Sequence, residues 1–425
     1  MMFDDKKLAK VRSAFLVDQE TAQEIASAFR YDIRMGLNEP ERSSLQMLQA
    51  YVDLPNGEET GEYLALDFGG TNVRAMRIKL LGGGKHMVVK SVAKPLVRPG
   101  VYDHIGPGST AEGLFDFLAH LIDEVAGGDR ETLFLLGHTF SFPMKKTAIN
   151  DAVLVGWTKE IQTEGVEGKD VSLLLKDALV HIGATNIEPV AVVNDTVALL
   201  LAAAYEYGNT YIGSIYATGH NTCYFEPRQN TTIINMESGG FVKLVPNKYD
   251  NMVDEKSDRP GEQRLEKMVS GRYLGELFGL ALADVLGENK DYGFTSIDLS
   301  AMIADDSDDR TEVARIIEEK TGKRFEPEDC EELRLLAEAV VIRSARIVSA
   351  TWAGLFWHLD SEDRGGNQRI AIDGSIYEKM PLVKENVLRT LYDVLGEDAA
   401  KLEPVLVKGG SGLGAAIAAA LSQKD

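Results

Sequence analysis

Residues 64–80 read LALDFGGTNVRAMRIKL, two apolar β-like runs on either side of a short polar turn. Glycines in such a turn let the backbone approach a ligand closely, and the threonine and asparagine offer donors suited to phosphate oxygens. Asp67, at the end of the first run, is a candidate to hold a hydrated Mg²⁺. Considered alone, the turn is better explained as an ordinary glycine hairpin, because two adjacent glycines are common. The candidate phosphate-contacting residues are Gly69, Gly70, Thr71 and Asn72.

The composition bounds the class of protein. At 425 residues the chain is long for one compact domain, so we expect two lobes. Apolar residues make up 44 % and charged residues 26 %, as in ordinary globular proteins. A formal net charge of −21 argues against nucleic acid or an anionic membrane as partner, because both require a basic face. Cys223 and Cys330 stand far apart, so we expect neither a disulfide framework nor a cysteine-based zinc site.

The N-terminal segment and the lengths of the apolar stretches bear on where the protein is located. Residues 1–20 are charged and lack the apolar core of a signal peptide. Along the chain, no stretch approaches the ~20 apolar residues that a membrane span requires. We therefore expect a soluble, cytoplasmic protein that does not bind a membrane.

The order of predicted elements repeats along the chain. After a helical region at residues 5–35, the pattern of apolar residues predicts the order βββαβαβα. Ser109 and Glu112 have the spacing of a capping box at the start of the first helix in this series. A similar order recurs from residue 210 onwards, with a long, mostly helical section at about 262–359. The repeat predicts two α/β lobes with a ligand-binding cleft between them.

A second polar turn lies in the second half. In YATGHNT, Thr218 and Gly219 again follow a predicted strand. Two facing turns that cradle phosphate, one in each lobe, suit a nucleotide that lies across a hinge. The chain has neither a Walker-A sequence nor a GxGxxG that opens a helix, which argues against P-loop and Rossmann folds.

A series of segments resembles the hexokinase/glucokinase family of the actin-like ATPase superfamily. The resemblance covers the chain from about Ser44 to Ala420 and implies an α/β, two-lobed actin-like ATPase (ribonuclease H-like) fold. Duplicated βββαβα units would surround an interdomain cleft. The matching segments, in chain order, are LALDFGGTNVR, LGHTFSFP, GWTKEI, VVNDTV, ATGHNTCYFE, INMESGGF, PGEQRLEKMVSGRYLGEL, IAIDGSIY and GGSGLGAA.

The resemblance also suggests lobe boundaries. We expect residues 61–193 and the C-terminal helix 411–425 to form the small lobe, and residues 1–60 and 194–410 to form the large lobe.

The resemblance implies an ATP-dependent hexokinase that phosphorylates the 6-hydroxyl of glucose, with Mg²⁺ on the nucleotide. Asp195 would take the hydroxyl proton. From the residues alone, Asp195 is also explained as a helix N-cap, because Asn-Asp-Thr precedes an apolar run. The family pattern assigns sugar binding to a ring of amides, carboxylates and hydroxyls, with Lys159 also stabilising the transferring phosphoryl group. The sugar-binding candidates are Ser141, Thr158, Lys159, Asn194, Asp195, Asn221, Glu237 and Glu266.

Each sugar-binding candidate has a simpler explanation when it is considered singly. Glu266 is then a helix-surface acid, Lys159 a solvated loop lysine, and Ser141 a hydroxyl at a strand edge. Glu237 is harder to dismiss, because it is an acid that directly follows the apolar run TIINM.

Nucleotide binding is assigned by the same family pattern. Gly410 and Ser411 open a predicted helix, whose N-terminus attracts negative charge, although glycines there also permit close packing. Arg74 follows the first turn and is a phosphate candidate, or else a strand residue that faces water. Besides the two turns, the assigned residues are Arg74, Arg272, Gly374, Ser375, Gly410 and Ser411.

Two departures from the family pattern leave other functions open. Ser238 and Gly240 stand where family members often carry tryptophan and alanine, and Val407–Gly412 lacks an acidic pair near the expected adenosine pocket. The second departure puts the preference for the nucleotide base in doubt. A non-catalytic hexose sensor and a kinase that prefers mannose, fructose or glucosamine are the alternative functions.

Overall fold

The computed structural model describes residues 4–70, 72–158, 161–227, 232–360 and 367–423. Short 3₁₀-helices span Pro40–Arg42, Ser238–Gly240 and Gly396–Lys401. The α-helices are α1 Asp5–Ser13, α2 Gln19–Asn38, α3 Ala111–Ala126, α4 Val171–His181, α5 Asp195–Tyr207, α6 Lys248–Lys256, α7 Arg264–Val269, α8 Gly271–Leu286, α9 Ser296–Ile303, α10 Thr311–Thr321, α11 Pro327–Asp360, α12 Ser375–Lys379, α13 Val383–Leu395 and α14 Gly410–Leu421. The strands are β1 Leu48–Gln49, β2 Thr60–Phe68, β3 Asn72–Gly82, β4 Lys85–Pro95, β5 Val97–Arg98, β6 Tyr102–Asp103, β7 Phe134–Phe140, β8 Met144–Lys145, β9 Val153–Leu154, β10 Ile187–Val193, β11 Thr210–Tyr216, β12 His220–Glu226, β13 Thr232–Asn235, β14 Gln368–Asp373 and β15 Leu402–Leu406.

Two large sheets share one strand order. The first sheet runs β10-β7-β2-β3-β4, and the second runs β15-β14-β11-β12-β13, with β1 added beyond β13. In each sheet the central strand, β2 or β11, is antiparallel to the next strand in the chain and parallel to the strand on its other side. The predicted duplication is therefore confirmed in topology, although the two halves share little sequence.

Helices α5 and α14 lie between the two sheets. Helix α14 packs on strands of the first sheet, α5 packs on strands of the second, and the two helices contact each other. A Cβ on Gly414 would lie 2.0 Å from the carbonyl oxygen of Ala198, so this close approach requires glycine. The shared core includes Ala65 from the first sheet and Ile233 from the second. This packing brings the N-termini of both helices to the region where the parallel strands end.

The outer faces of the sheets are covered by other helices. Helices α3 and α4 cover the first sheet, and their apolar side chains form one cluster with Leu64, Leu66 and Leu136. A larger cluster on the second sheet includes side chains of α1, α2, α8, α11 and α13. All strands of the first sheet lie within residues 60–193, and the lobe boundaries given above stay a prediction.

Two local predictions were wrong. The helical region at residues 5–35 is divided into α1 and α2, because Asp18 caps a new helix by accepting a hydrogen bond from the Thr21 amide. Helix α3 is capped by Thr110, whose hydroxyl accepts from the Gly113 amide at 3.2 Å, and not by Ser109. The helix begins one residue later than the capping-box pattern indicates, so the Ser109–Glu112 spacing does not apply.

Helix α11 corrects the expectation about membrane spans. By length and composition, Pro327–Asp360 would be able to cross a membrane. Most of it is buried inside the protein, as in a core helix of a globular protein, so it is weak support for a membrane span.

Candidate active site

Polar residues meet where the parallel strands of the first sheet end. Asp67, Thr139 and Val193 are register partners across β2, β7 and β10. Neighbouring strands lie about 4.8 Å apart, so these three backbone positions form a short row. Asp195, two residues beyond Val193, therefore lies at the same edge of the sheet as Asp67.

Asp195 is the first residue of α5, and Asn194 is the N-cap. Asn194 Oδ1 accepts a hydrogen bond from the Thr196 amide at 2.8 Å. Asp195 Oδ1 accepts from the same amide at 2.7 Å and from the Thr196 hydroxyl at 3.2 Å. Asn194, and not Asp195, is therefore the N-cap of α5. Among the described residues, no hydrogen bond engages Asp195 Oδ2, and the residue is half-buried.

Glu237 lies close to two other acidic residues. It follows β13 in the left-handed region, with a φ of 50°. Its pKa is raised mainly by burial and further by the charges of Asp195 and Glu266. Asn235 Nδ2 donates to Glu237 Oε1 at 2.7 Å, and Asn221 Nδ2 donates to Asn235 Oδ1 at 2.9 Å. Two amides in series therefore orient this carboxylate.

Glu266 holds the turn between β11 and β12. Its Oε2 accepts from the His220 amide at 2.9 Å, and a Cβ on Gly219 would lie 2.9 Å from the same oxygen. Because the carboxylate is half-buried and bonded to this turn, it is not a solvated acid on a helix surface. Burial lowers the pKa of the His220 imidazole to about 4, so this ring is neutral at pH 7 and supplies no cation to a phosphate.

The residues assigned to the nucleotide meet at the end of the second sheet. The Arg272 amide donates to the Thr218 carbonyl at 3.1 Å, and both side chains are exposed. Gly374 has a φ of 139°, and a Cβ there would lie 2.2 Å from the Tyr216 carbonyl oxygen, so only glycine fits. Ser375 follows as the exposed first residue of α12.

Gly410 and Ser411 begin α14 beside the first sheet. Thr139 Oγ1 donates to the Ser411 carbonyl oxygen at 2.8 Å, which ties this helix N-terminus to β7. A Cβ on Gly410 would lie 3.3 Å from the Leu199 Cα, so glycine also permits close packing on α5. Every residue of the first turn of α14 is described, and none is acidic.

The first polar turn is next to two sugar-binding candidates. The Ser141 amide donates to the Phe68 carbonyl at 3.3 Å, and a Cβ on Gly69 would lie 3.6 Å from Ser141 Oγ. The Phe68 ring packs against the Trp157 ring with centroids 6.3 Å apart. This contact places Thr158, the next residue, near the turn.

The other candidates of the first lobe have less defined surroundings. Asn72 and Arg74 are exposed residues of β3, and Arg74 is the register partner of Asp67. Gly70 is half-buried in the turn. Thr71 and Lys159 lie outside the described residues.

Two residues of this site, Asp373 and Asn235, were not predicted from the sequence. Asp373 ends β14, and its pKa is raised by burial first and then by the charge of Asp195. Its place in IAIDGS repeats that of Asp67 in LALDFGG, so the internal repeat was a signal that pointed to it. Asn235 carries no comparable signal, because its role depends on the side chains beside it.

We expect Glu237→Gln to stabilise the protein at pH 7 by on the order of 1 kcal/mol. A carboxyl group whose pKa is raised by folding is destabilising when ionised, so stability falls as the pH rises through its folded-state pKa. Glutamine removes the charge and keeps an oxygen that accepts from Asn235. Thermal unfolding at pH 7 measures the gain, which shrinks below about pH 4, where the carboxyl is protonated in both states.

The matched control for this prediction is Glu255→Gln. Glu255 is an exposed residue of α6, so its replacement leaves the unfolding temperature unchanged. Equal unfolding temperatures for Glu237→Gln and the wild type at pH 7 would contradict the prediction.

Comparison with known proteins identifies the family. Residues 7–205 and 211–421 match two family profiles, each described as hexokinase. The chain is 31 % identical over 451 residues to Hexokinase-1 of Schizosaccharomyces pombe, an alignment that covers 98 % of this chain and 91 % of that protein. The chain belongs to the hexokinase family. This hexokinase is also 34 % identical over 459 residues to Hexokinase-1 of Oryza sativa subsp. japonica, covering 98 % and 91 % of the two chains.

Solved structures agree with this assignment. A crystal structure of a hexokinase superposes with a TM-score of 0.89 at 32 % identity, covering 98 % of this chain and 99 % of the other. The hexokinase of Schistosoma mansoni, solved in complex with glucose, gives a TM-score of 0.82 at 29 % identity and covers 98 % of both chains. The chain therefore has the actin-like ATPase fold and is a sugar phosphotransferase.

Proposed function

We propose that this hexokinase transfers the γ-phosphoryl group of ATP to the 6-hydroxyl of glucose or a closely related hexose. The observation that carries the proposal is the position of Asp195. Its charge raises the pKa values of both Glu237, on the sugar side, and Asp373, at the end of the strand that leads to Gly374. A carboxylate close enough to both groups to change their pKa values is a suitable base for phosphoryl transfer from nucleotide to sugar.

The chemistry needs one proton acceptor and one new bond. A bond forms between the sugar O6 and the γ-phosphorus, and the bond from that phosphorus to the bridging oxygen of ADP breaks. The proton of the 6-hydroxyl passes to Asp195. We assign it to Oδ2, because Oδ1 already accepts both Thr196 hydrogen bonds.

The polar residues around Asp195 match the hydroxyls of a hexose. Asn194, Glu237 and Glu266 offer amide and carboxylate groups that can each bridge neighbouring hydroxyls, and Asn221 orients Glu237 through Asn235. A sugar that lacks one hydroxyl would leave a half-buried polar group without its partner, which is the basis of discrimination. The glucose complex of the Schistosoma mansoni hexokinase supports glucose as the sugar.

The residues also fit a magnesium-bound nucleotide. The turn at Gly374 admits only glycine, so no side chain stands on its backbone, and the N-terminus of α14 at Gly410 is free of acidic side chains in its described first turn. Asp67 and Asp373 offer carboxylate oxygens, which are ligands that Mg²⁺ prefers, directly or through water. When bound, Mg²⁺ neutralises charge on the phosphates.

A kinase that prefers another hexose is the second candidate. Ser238 follows Glu237 in the chain and is fully buried, and within the described structure its hydroxyl has no hydrogen-bond partner. A small side chain next to the sugar-binding carboxylate allows that carboxylate to adjust to a different hydroxyl arrangement.

The test is a product assay across four sugars. Purified protein with Mg²⁺ and ATP is incubated with glucose, mannose, fructose or glucosamine, and both ADP and the sugar phosphate are quantified. Equal amounts of ADP and glucose 6-phosphate support the proposal. Glucose binding without ADP release indicates a sensor, and a higher kcat/KM for another sugar favours the second candidate.

A further inference from the structure

We propose that Lys146 is a positioning residue that ties the two sheets together and so sets the separation of Asp195 from Glu237. The inference rests on the function proposed above, in which Asp195 is the base and Glu237 binds the sugar.

The ammonium group of Lys146 contacts three backbone carbonyls. It donates to the carbonyl oxygen of Val192 and, at 3.4 Å each, to those of Ala50 and Ile149. An ammonium has three protons, so these contacts use its full donor capacity. Charge-assisted hydrogen bonds of this kind are stronger than those between neutral groups.

The contact with Val192 holds the strand that leads to the base. Val192 lies in β10, three residues before Asp195. Its amide donates to the Ile149 carbonyl at 2.8 Å, so the loop after Lys146 already lies against this strand. Lys146 and the loop that follows it therefore both form hydrogen bonds with Val192, near the end of β10.

The contact with Ala50 reaches the second sheet. The Ala50 amide donates to the Ile233 carbonyl at 2.9 Å, and Ile233 lies in β13, four residues before Glu237. One path of hydrogen bonds thus runs from the strand of Glu237 through Ala50 to Lys146, and on to the strand of Asp195. Because the path is short and every group in it except the Lys146 ammonium belongs to the backbone, a change at Lys146 alters the spacing of the two carboxylates.

The surroundings of Lys146 show why its replacement is costly. Burial lowers the pKa of the amino group to about 7, while the charges of Asp151 and Asp170 oppose this shift. Hydrogen bonds to the carbonyl oxygens favour the protonated form. A side chain without donors would leave these partly buried acceptors unpaired.

The test compares Lys146→Met with Lys145→Met. Lys145 is the neighbouring exposed lysine in β8, so its replacement controls for the loss of one charge in this segment. At pH 6.5, we expect Lys146→Met to lower kcat/KM for glucose about 30-fold, with the KM for ATP changed less than twofold. Lys145→Met keeps the wild-type values, and Lys146→Arg, which retains a charged donor, recovers part of the loss.

A double-mutant cycle separates positioning from general destabilisation. If Lys146 acts by placing Asp195 relative to Glu237, Lys146→Met costs far less in the Glu237→Gln background than in the wild type. Equal losses in both backgrounds, or a kcat/KM within twofold of the wild type, would overturn the inference. If Lys146→Met fails to fold, Lys146→Gln, which keeps N–H donors, replaces it in the cycle and is judged by the same two outcomes.

Failure of this inference is distinguishable from failure of the proposed function. If the Asp195→Asn variant is fully active, Asp195 is not the base and the proposed function fails, whatever the Lys146 variants show. If Asp195→Asn is inactive and Lys146→Met has wild-type activity, only the positioning role of Lys146 is wrong and the proposed function stands.

Discussion

Replacement of Asp195 by asparagine is expected to lower kcat for sugar phosphorylation about 1,000-fold, within the range that general-base catalysis contributes. The amide keeps an oxygen that can accept the two Thr196 hydrogen bonds at 2.7 and 3.2 Å, so the start of α5 is preserved. It cannot take the proton of the 6-hydroxyl. Activity is therefore lost without loss of the fold, and steady-state kinetics together with thermal unfolding measure both.

The comparison with Asp195→Ala separates catalysis from the support that Asp195 gives to the first turn of α5. Alanine removes the base and also the bonds to Thr196, so it adds a loss of stability of about 1 kcal/mol to the same loss of activity. If Asp195 only supported the helix, Asp195→Asn would be nearly as active as the wild type and Asp195→Ala would be impaired. The titration of glucose binding by intrinsic fluorescence shows in each variant that the sugar site is intact.

The replacement of Gly374 by alanine is expected to have the second largest effect. The backbone there has a φ of 139°, which side-chain-bearing residues rarely adopt, and the new Cβ would lie 2.2 Å from the Tyr216 carbonyl oxygen. Either β14 or the end of β11 must move. We expect a loss of about 3 kcal/mol in the free energy of unfolding. We also expect a KM for ATP raised more than tenfold, because Thr218 follows Tyr216 by two residues.

Gly287→Ala is the matched control for this prediction. Gly287 also has a positive φ, 71°, at the end of α8, but a Cβ there meets no atom within 4 Å. Its replacement costs about 1 kcal/mol through the backbone alone and leaves the KM for ATP unchanged. Equal stability losses in the two variants would show that the contact with Tyr216 is not what demands glycine at position 374.

The sequence was most informative where a function depends on the local chain. The turn after Asp67, the glycine at position 374 and the carboxylate that begins α5 all follow an apolar run and are visible as motifs. The predicted duplication holds because strands and helices have different apolar periods, which survive when the residues themselves change. The start of α3 was predicted one residue too early, because the Ser109–Glu112 spacing fits a capping box that the structure does not form.

The sequence by itself thus determined the family, the repeated α/β order and the positions of the polar turns, because these depend on neighbours in the chain. Only the tertiary structure revealed the bonds from Asn221 through Asn235 to Glu237, the effect of the Asp195 charge on the pKa of Asp373 and the three contacts of Lys146. These depend on strand register and on the packing of α5 and α14 between the sheets. Such contacts join residues far apart in the chain, and no local pattern encodes the distance between them.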